Sequence, residues 1–124
     1  MRLRAERIVS IMGVATLLSV AGAAWVAPAS GADPATAKKI YVDKCLKCHG
    51  EKGRGDGPRA YDLSKKPADY TDKEKMSKFT DADLKQVVKE GKKPMPAFGA
   101  KLSNEEIEGV IAHIRTFAGP RAEK

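Results

Sequence analysis

Both cysteines of the chain and one of its two histidines fall within five consecutive residues, in the stretch KCLKCHG at positions 44 to 50. Four arrangements place two thiols and an imidazole so close together: a zinc site, a redox disulfide, a chance cluster, or covalent attachment of a haem. At 124 residues there is room for one domain, and a domain this small buries only a modest share of its surface. A chain of this size therefore needs a staple, and the cluster is where one would be built.

The N-terminus bears on what the thiols can become. Arg2, Arg4 and Arg7 form a positive leader, and no charged residue follows from Ile8 to Ala32. Ser30 and Ala32 then stand at the small-residue positions that a signal peptidase reads, so residues 1–32 are expected to be a signal peptide cleaved before Asp33. Residues 33–124 would form the exported domain, in the periplasm. The alternative is an uncleaved membrane anchor, because the uncharged run is long enough to span a bilayer. No adjacent arginine pair is present, which favours export as an unfolded chain.

Outside the cytoplasm a lone cysteine pair usually oxidises. A Cys-x-x-Cys disulfide closes a very short loop, however, and would stabilise little. The redox-enzyme version of the motif follows a strand in a βαβ unit, and no such apolar strands occur here. For zinc, adjacent ligands at Cys48 and His49 strain a tetrahedral site, and no second cysteine pair completes it. Covalent haem uses every member of the motif. Cys45 and Cys48 each add to a vinyl group, and His49 is placed under the iron as an axial ligand.

The flanking sequence reads as helix. Asp33 is an expected N-cap with Pro34 at the first helical position, and Ala37, Ile40, Tyr41 and Cys45 recur at helical spacing up to the motif. The loop GEKGRGDGP follows, with four glycines in eight residues, where the backbone must turn tightly. Tyr61 and Leu63 mark a short helical turn, and a weak helix is expected over about Asp72 to Lys78. Thr80 caps a further helix carrying Leu84, Val87 and Val88 and ending at Gly91. Ser103 and Glu106 form a capping box before Ile107, Val110, Ile111, Ile114 and Phe117. No alternating strand pattern or internal repeat is present, so the fold class is all-α.

A second axial ligand is sought in KKPMPAFG, positions 92 to 99, where Met95 stands between Pro94 and Pro96. Two prolines restrict themselves and their predecessors, so the loop is expected to be extended with its one flexible side chain aimed. Met95 is the expected ligand. Met76 is a rival that reads better as a core residue, and His113 one that reads better as a helix-packing residue.

With these residues in place, the mature sequence resembles the class I c-type cytochromes, the small bacterial mono-haem kind, along nearly its whole length. AKKIYVDKCLKCHG is similar to that family's N-terminal helix and haem motif, and MPAFG to its methionine loop. The resemblance implies about four helices around one covalent haem c, with the N- and C-terminal helices crossed so that Ala37 and Tyr41 meet Val110 and His113. It implies that the Pro58 carbonyl accepts the N–H of His49. The sequence departs from the family where His113 replaces an aromatic residue. With Trp25 lost with the leader, no tryptophan is left to bond a haem propionate, and Tyr70 is the expected substitute.

An iron closed by His49 and Met95 has no open coordination position, so an electron carrier rather than an enzyme is expected. The alternatives are an open iron, as in a small peroxidase or gas sensor, and a haem subunit of a larger, membrane-bound oxidoreductase. Net charge is +7, from 23 Lys+Arg against 16 Asp+Glu. Scattered lysines without clustered arginine and interleaved aromatics speak against nucleic acid as a partner. Lys44, Lys47, Lys52, Lys92 and Lys93 flank the haem motif and methionine loop, and are expected to steer acidic redox proteins. Ordinary solvated charge is the other reading of the same lysines.

Overall fold

The computed structural model describes residues 31–119; most of the expected signal peptide, residues 1–30, lies outside them. The first helical rod opens as its sequence dictates. Asp33 Oδ1 accepts the N–H groups of Ala35 and Thr36, both at 3.1 Å, with Pro34 at the first position, satisfying donors that have no partner inside the helix. Helix α1 covers Pro34–Ile40, a π turn Tyr41–Cys45, and α2 Leu46–His49. The rod therefore runs through the cysteine motif to His49, beyond the helical spacing that reaches Cys45. Gly50, at φ +83°, closes it.

A 3-10 turn at Ala60–Asp62 leads to α3, Lys73–Ser77, within the span expected for the weak helix. Helix α4 spans Asp81–Glu90, and the Thr80 and Asp83 side chains each bond the other's backbone N–H, at 3.1 and 2.7 Å. Helix α5 spans Asn104–Phe117 with the same reciprocal cap between Ser103 and Glu106. No strand forms among the described residues, and the all-α class holds.

The core lies where α5 crosses the first rod and α4. Ala37, Tyr41, Ile107 and Val110 are at most 1 % exposed. Tyr41 lies against His113 and Phe117, ring centroids 5.2 Å away in each case, as the expected crossing of the two terminal helices requires. Gly109 makes the approach close: a Cβ there would sit 3.0 Å from the Ala32 side chain, and the Ala32 backbone N–H donates to the Glu105 carbonyl at 2.7 Å. Lys85 and Glu108 pair between α4 and α5. Arg115 reaches from α5 to the Met76 carbonyl at 2.7 Å, the Phe79 carbonyl at 2.5 Å and Asp81 at 2.9 Å, holding the α3–α4 junction with one rigid fork.

His113 gives this crossing a pH dependence. Its half-buried ring is held below the ordinary imidazole value of 6.5, first by burial and then by Lys38. The unfolded chain therefore binds a proton more readily than the folded one, so this contribution to stability is present above about pH 6.5 and is lost as pH falls below it. His113→Phe is expected to melt with a weaker decline from pH 7 to pH 5 than the parent. Parallel declines in the two proteins would show that His113 is not responsible.

Candidate functional site

The motif sits on a helix whose backbone is backed by the glycine loop. Gly55 N–H donates to the His49 carbonyl at 2.8 Å, Gly57 N–H to the Cys48 carbonyl at 3.1 Å, and Arg59 N–H to the Lys47 carbonyl at 2.8 Å. Gly57 is required by space: a Cβ there would lie 2.4 Å from the Lys47 carbonyl oxygen and 2.5 Å from that of Leu46. The loop is thus a close-fitting backbone cradle beneath the motif.

Cys45 and Cys48 are both half-buried and free. Burial, with Cys48 adding to it against Lys44, pushes the Cys45 thiol up to about 11, so it is not the ready thiolate of a redox cysteine. Among the described residues no group of three His, Cys, Asp or Glu side chains is arranged to hold a metal ion.

His49 is 8 % exposed. Burial holds its pKa below 6.5, with the Ala68 backbone acting the other way, so the ring is in the neutral form that a metal requires. The Tyr70 hydroxyl lies 3.2 Å from Nε2 and donates to it when that nitrogen is unprotonated; the two rings stack at 4.7 Å and 13°. Nδ1 is buried with no hydrogen-bond partner. Buried polar atoms are nearly always paired, and an orphan of this kind marks an imidazole whose environment is completed by something else.

Met95 lies half-buried against the apolar cluster that Cys45 and Leu46 also touch. Its loop is a tight turn, where an extended segment was expected from the prolines. The Lys93–Pro94 peptide is cis, and Lys92 and Met95 exchange backbone bonds of 3.1 and 2.9 Å. Phe98 N–H to the Val88 carbonyl and Gly99 N–H to the Lys89 carbonyl, at 2.9 and 3.1 Å, fasten the turn to α4. Met76, the rival ligand, is 4 % exposed inside the core, and His113 is engaged with Tyr41 and Phe117.

The structure places two further expected residues beside the motif. Pro58 is exposed in the cradle, and His49 Nδ1, whose proton it was to accept, has no partner. Tyr70 is 7 % exposed and lies on His49 itself. One contact was missed entirely: the Tyr41 hydroxyl donates to the Gly50 carbonyl at 2.7 Å. The available signal was a tyrosine at a core helix position, because a buried hydroxyl finds an acceptor.

The donor set fits a covalent haem: two free thiols spaced as in an attachment motif, a neutral buried imidazole beside them with an orphaned nitrogen, and a thioether against the same apolar cluster. Comparisons with known proteins agree. The sequence pattern of the family described as cytochrome C oxidase, cbb3-type, subunit III matches residues 32–114. A cytochrome c6 of Synechococcus sp. is 34 % identical over 110 residues, covering 85 % of this chain and 89 % of that protein. A cytochrome c6 of Gloeothece citriformis is 29 % identical over 104 residues, covering 84 % and 89 %. Among solved structures, the KustC0563 c-type cytochrome superposes with a TM-score of 0.58 at 27 % identity, covering 65 % of this chain and 95 % of that one. The Kuenenia stuttgartiensis reducing HAO-like protein complex Kustc0457/Kustc0458 gives 0.61 at 30 % identity, covering 74 % and 47 %.

Proposed function

This chain belongs to the family described as cytochrome C oxidase, cbb3-type, subunit III, and is a small class I c-type cytochrome; from that premise we propose that it shuttles single electrons in the periplasm on a haem held between His49 and Met95. The chain carries covalent haem c and serves electron transfer. The haem would be held by thioether links from Cys45 and Cys48, with His49 and Met95 as the residues that would bind its iron. The observation that carries it is a neutral, buried imidazole stacked on Tyr70, with the Met95 thioether packed against the apolar cluster to which Tyr70 belongs.

The haem, when bound, supplies the one-electron chemistry. His49 and Met95 are both uncharged, and the surrounding apolar side chains disfavour extra positive charge, so the reduced state is favoured relative to a site with two histidines. The turn fixed by Lys92 and by the α4 carbonyls keeps Met95 in place in both oxidation states. With both positions taken, no catalytic turnover is expected. With a haem held at His49, the buried Tyr70 hydroxyl would need another acceptor, and a haem propionate would provide one. The Pro58 carbonyl is retained as the proposed acceptor for His49 Nδ1, which requires a local movement of the cradle. Periplasmic location rests on the leader pattern of residues 1–32; among the described residues no helix is long and apolar enough to cross a membrane.

Lys44, Lys47, Lys52, Lys92 and Lys93 are all exposed and form the proposed docking face for an acidic redox protein. Tyr61, 84 % exposed on the turn that Arg59 ties to Lys47, adds an apolar contact beside them. Steering of this kind is screened over a Debye length of about 8–10 Å at physiological salt. The second-order rate of electron transfer to an acidic partner is expected to fall as salt rises, and to fall less steeply in Lys44→Gln/Lys47→Gln. A rate independent of salt would exclude this docking mode. The similarity to a chain of the reducing HAO-like protein complex favours a second reading, a haem module of a larger assembly. Native purification of a stable complex in place of a free monomer would support it.

A further inference from the structure

We infer that Tyr41 is a positioning residue for the axial imidazole: its hydroxyl holds Gly50, and through it His49, in register with the C-terminal helix. The inference rests on the reading that His49 binds the haem iron, and deepens it.

Tyr41 lies nine residues before Gly50, at the start of the π turn, and is 1 % exposed. Its 2.7 Å bond to the Gly50 carbonyl is the shorter of the two that this oxygen accepts; the other, from Gly53 N–H, is 3.2 Å. Burial raises the phenol far above its ordinary range, so it stays a donor at any physiological pH. Gly50 leaves the helix at φ +83°, a conformation in which the backbone alone is permissive. The hydroxyl therefore removes freedom where the chain has most of it, directly after the ligand.

The ring of Tyr41 is in turn fixed by α5. Phe117 and His113 flank it, and Phe117 also presses on the glycine loop, where a Cβ on Gly53 would meet its ring at 2.7 Å. One side chain of α5 thus touches both the donor and the loop it bonds. Metal-binding histidines are usually oriented by a hydrogen bond from their second nitrogen. The proposed Pro58 acceptor would act on that nitrogen and Tyr70 stacks on the ring; Tyr41 acts instead on the backbone that carries the ring, at the residue directly after the ligand.

The test is Tyr41→Phe in the haem-loaded full chain, which keeps the ring and removes only the donor. The readouts are the hyperfine-shifted haem methyl signals of the ferric protein, which follow the plane of the axial imidazole, and the midpoint potential. Both are expected to shift. Ser103→Ala, which removes the cap at the opposite end of α5, is expected to lower the melting temperature and leave both unchanged. Fluorotyrosine at position 41, a stronger donor of the same shape, is expected to move the methyl signals in the opposite sense to Tyr41→Phe and serves if that variant does not accumulate. A Tyr41→Phe protein that melts earlier but keeps the parental methyl pattern and potential would overturn the inference and leave the ligand reading standing. A parent protein whose ferric spectrum shows no coordinated imidazole would overturn both.

Discussion

The double variant Cys45→Ser/Cys48→Ser is expected to accumulate without covalent haem and to lose its cooperative unfolding transition. The reason lies in the size and shape of the core. Its largest fully buried side chains, Tyr41, Ile107 and Val110, gather at one helix crossing. Cys45, Leu46 and Met95 touch that cluster but stay partly exposed. A domain of this size is marginal on its own apolar burial, and a large apolar group filling the side where these three residues stand supplies what the chain lacks. His49 adds to the cost of going without it, because a buried nitrogen with no partner is unfavourable by roughly 1–3 kcal/mol. Circular dichroism against temperature is the check. A broad, low-amplitude change is the expected trace, whereas a sigmoidal melt near that of the haem-loaded parent would show that the polypeptide core suffices.

Met95→Ala is expected to fold, keep its haem and open the iron. Every hydrogen bond that shapes its turn is made by backbone atoms: the Lys92–Met95 pair, Phe98 to Val88, and Gly99 to Lys89. Removing the side chain leaves these intact. Truncating a buried methionine costs 2–5 kcal/mol, and the half-buried position of Met95 puts the expected loss at the lower end, about 2 kcal/mol. Its ferric spectrum should become high-spin and its reduced form should bind carbon monoxide. Met76→Leu, by contrast, conserves volume within the core and should keep the parental spectrum. The opposite pairing of results would transfer the ligand to Met76.

The helix ends were legible because capping is local. Asp33, Thr80 and Ser103 satisfy N–H groups two or three residues away, and Gly91 ends α4 by its own φ of +75°. The crossing of the terminal helices was legible through the family resemblance, and the stripe Ile107, Val110, Ile111 and Ile114 on α5 required a partner in any case. The continuation of the first rod to His49 was not, because no residue spacing marks the π turn in which Leu46 N–H bonds the Tyr41 carbonyl. The tight Lys92–Met95 turn was misread as extended because proline restricts φ without fixing which backbone groups pair, and the Lys92–Met95 bonds close the turn. Tyr70 on His49, Tyr41 on Gly50 and Arg115 on three acceptors join residues 9 to 39 apart. No periodicity encodes such pairs; only the fold brings them together.

The central claim, a haem closed by His49 and Met95, is tested most directly by the optical spectrum of the protein expressed with haem-attachment machinery, oxidised and then reduced under carbon monoxide. The account predicts a low-spin spectrum with a methionine-to-iron charge-transfer band in the oxidised form and no change on adding carbon monoxide to the reduced one. A high-spin spectrum, or ready carbon monoxide binding by the unmutated protein, would contradict it and turn attention from redox partners to substrates.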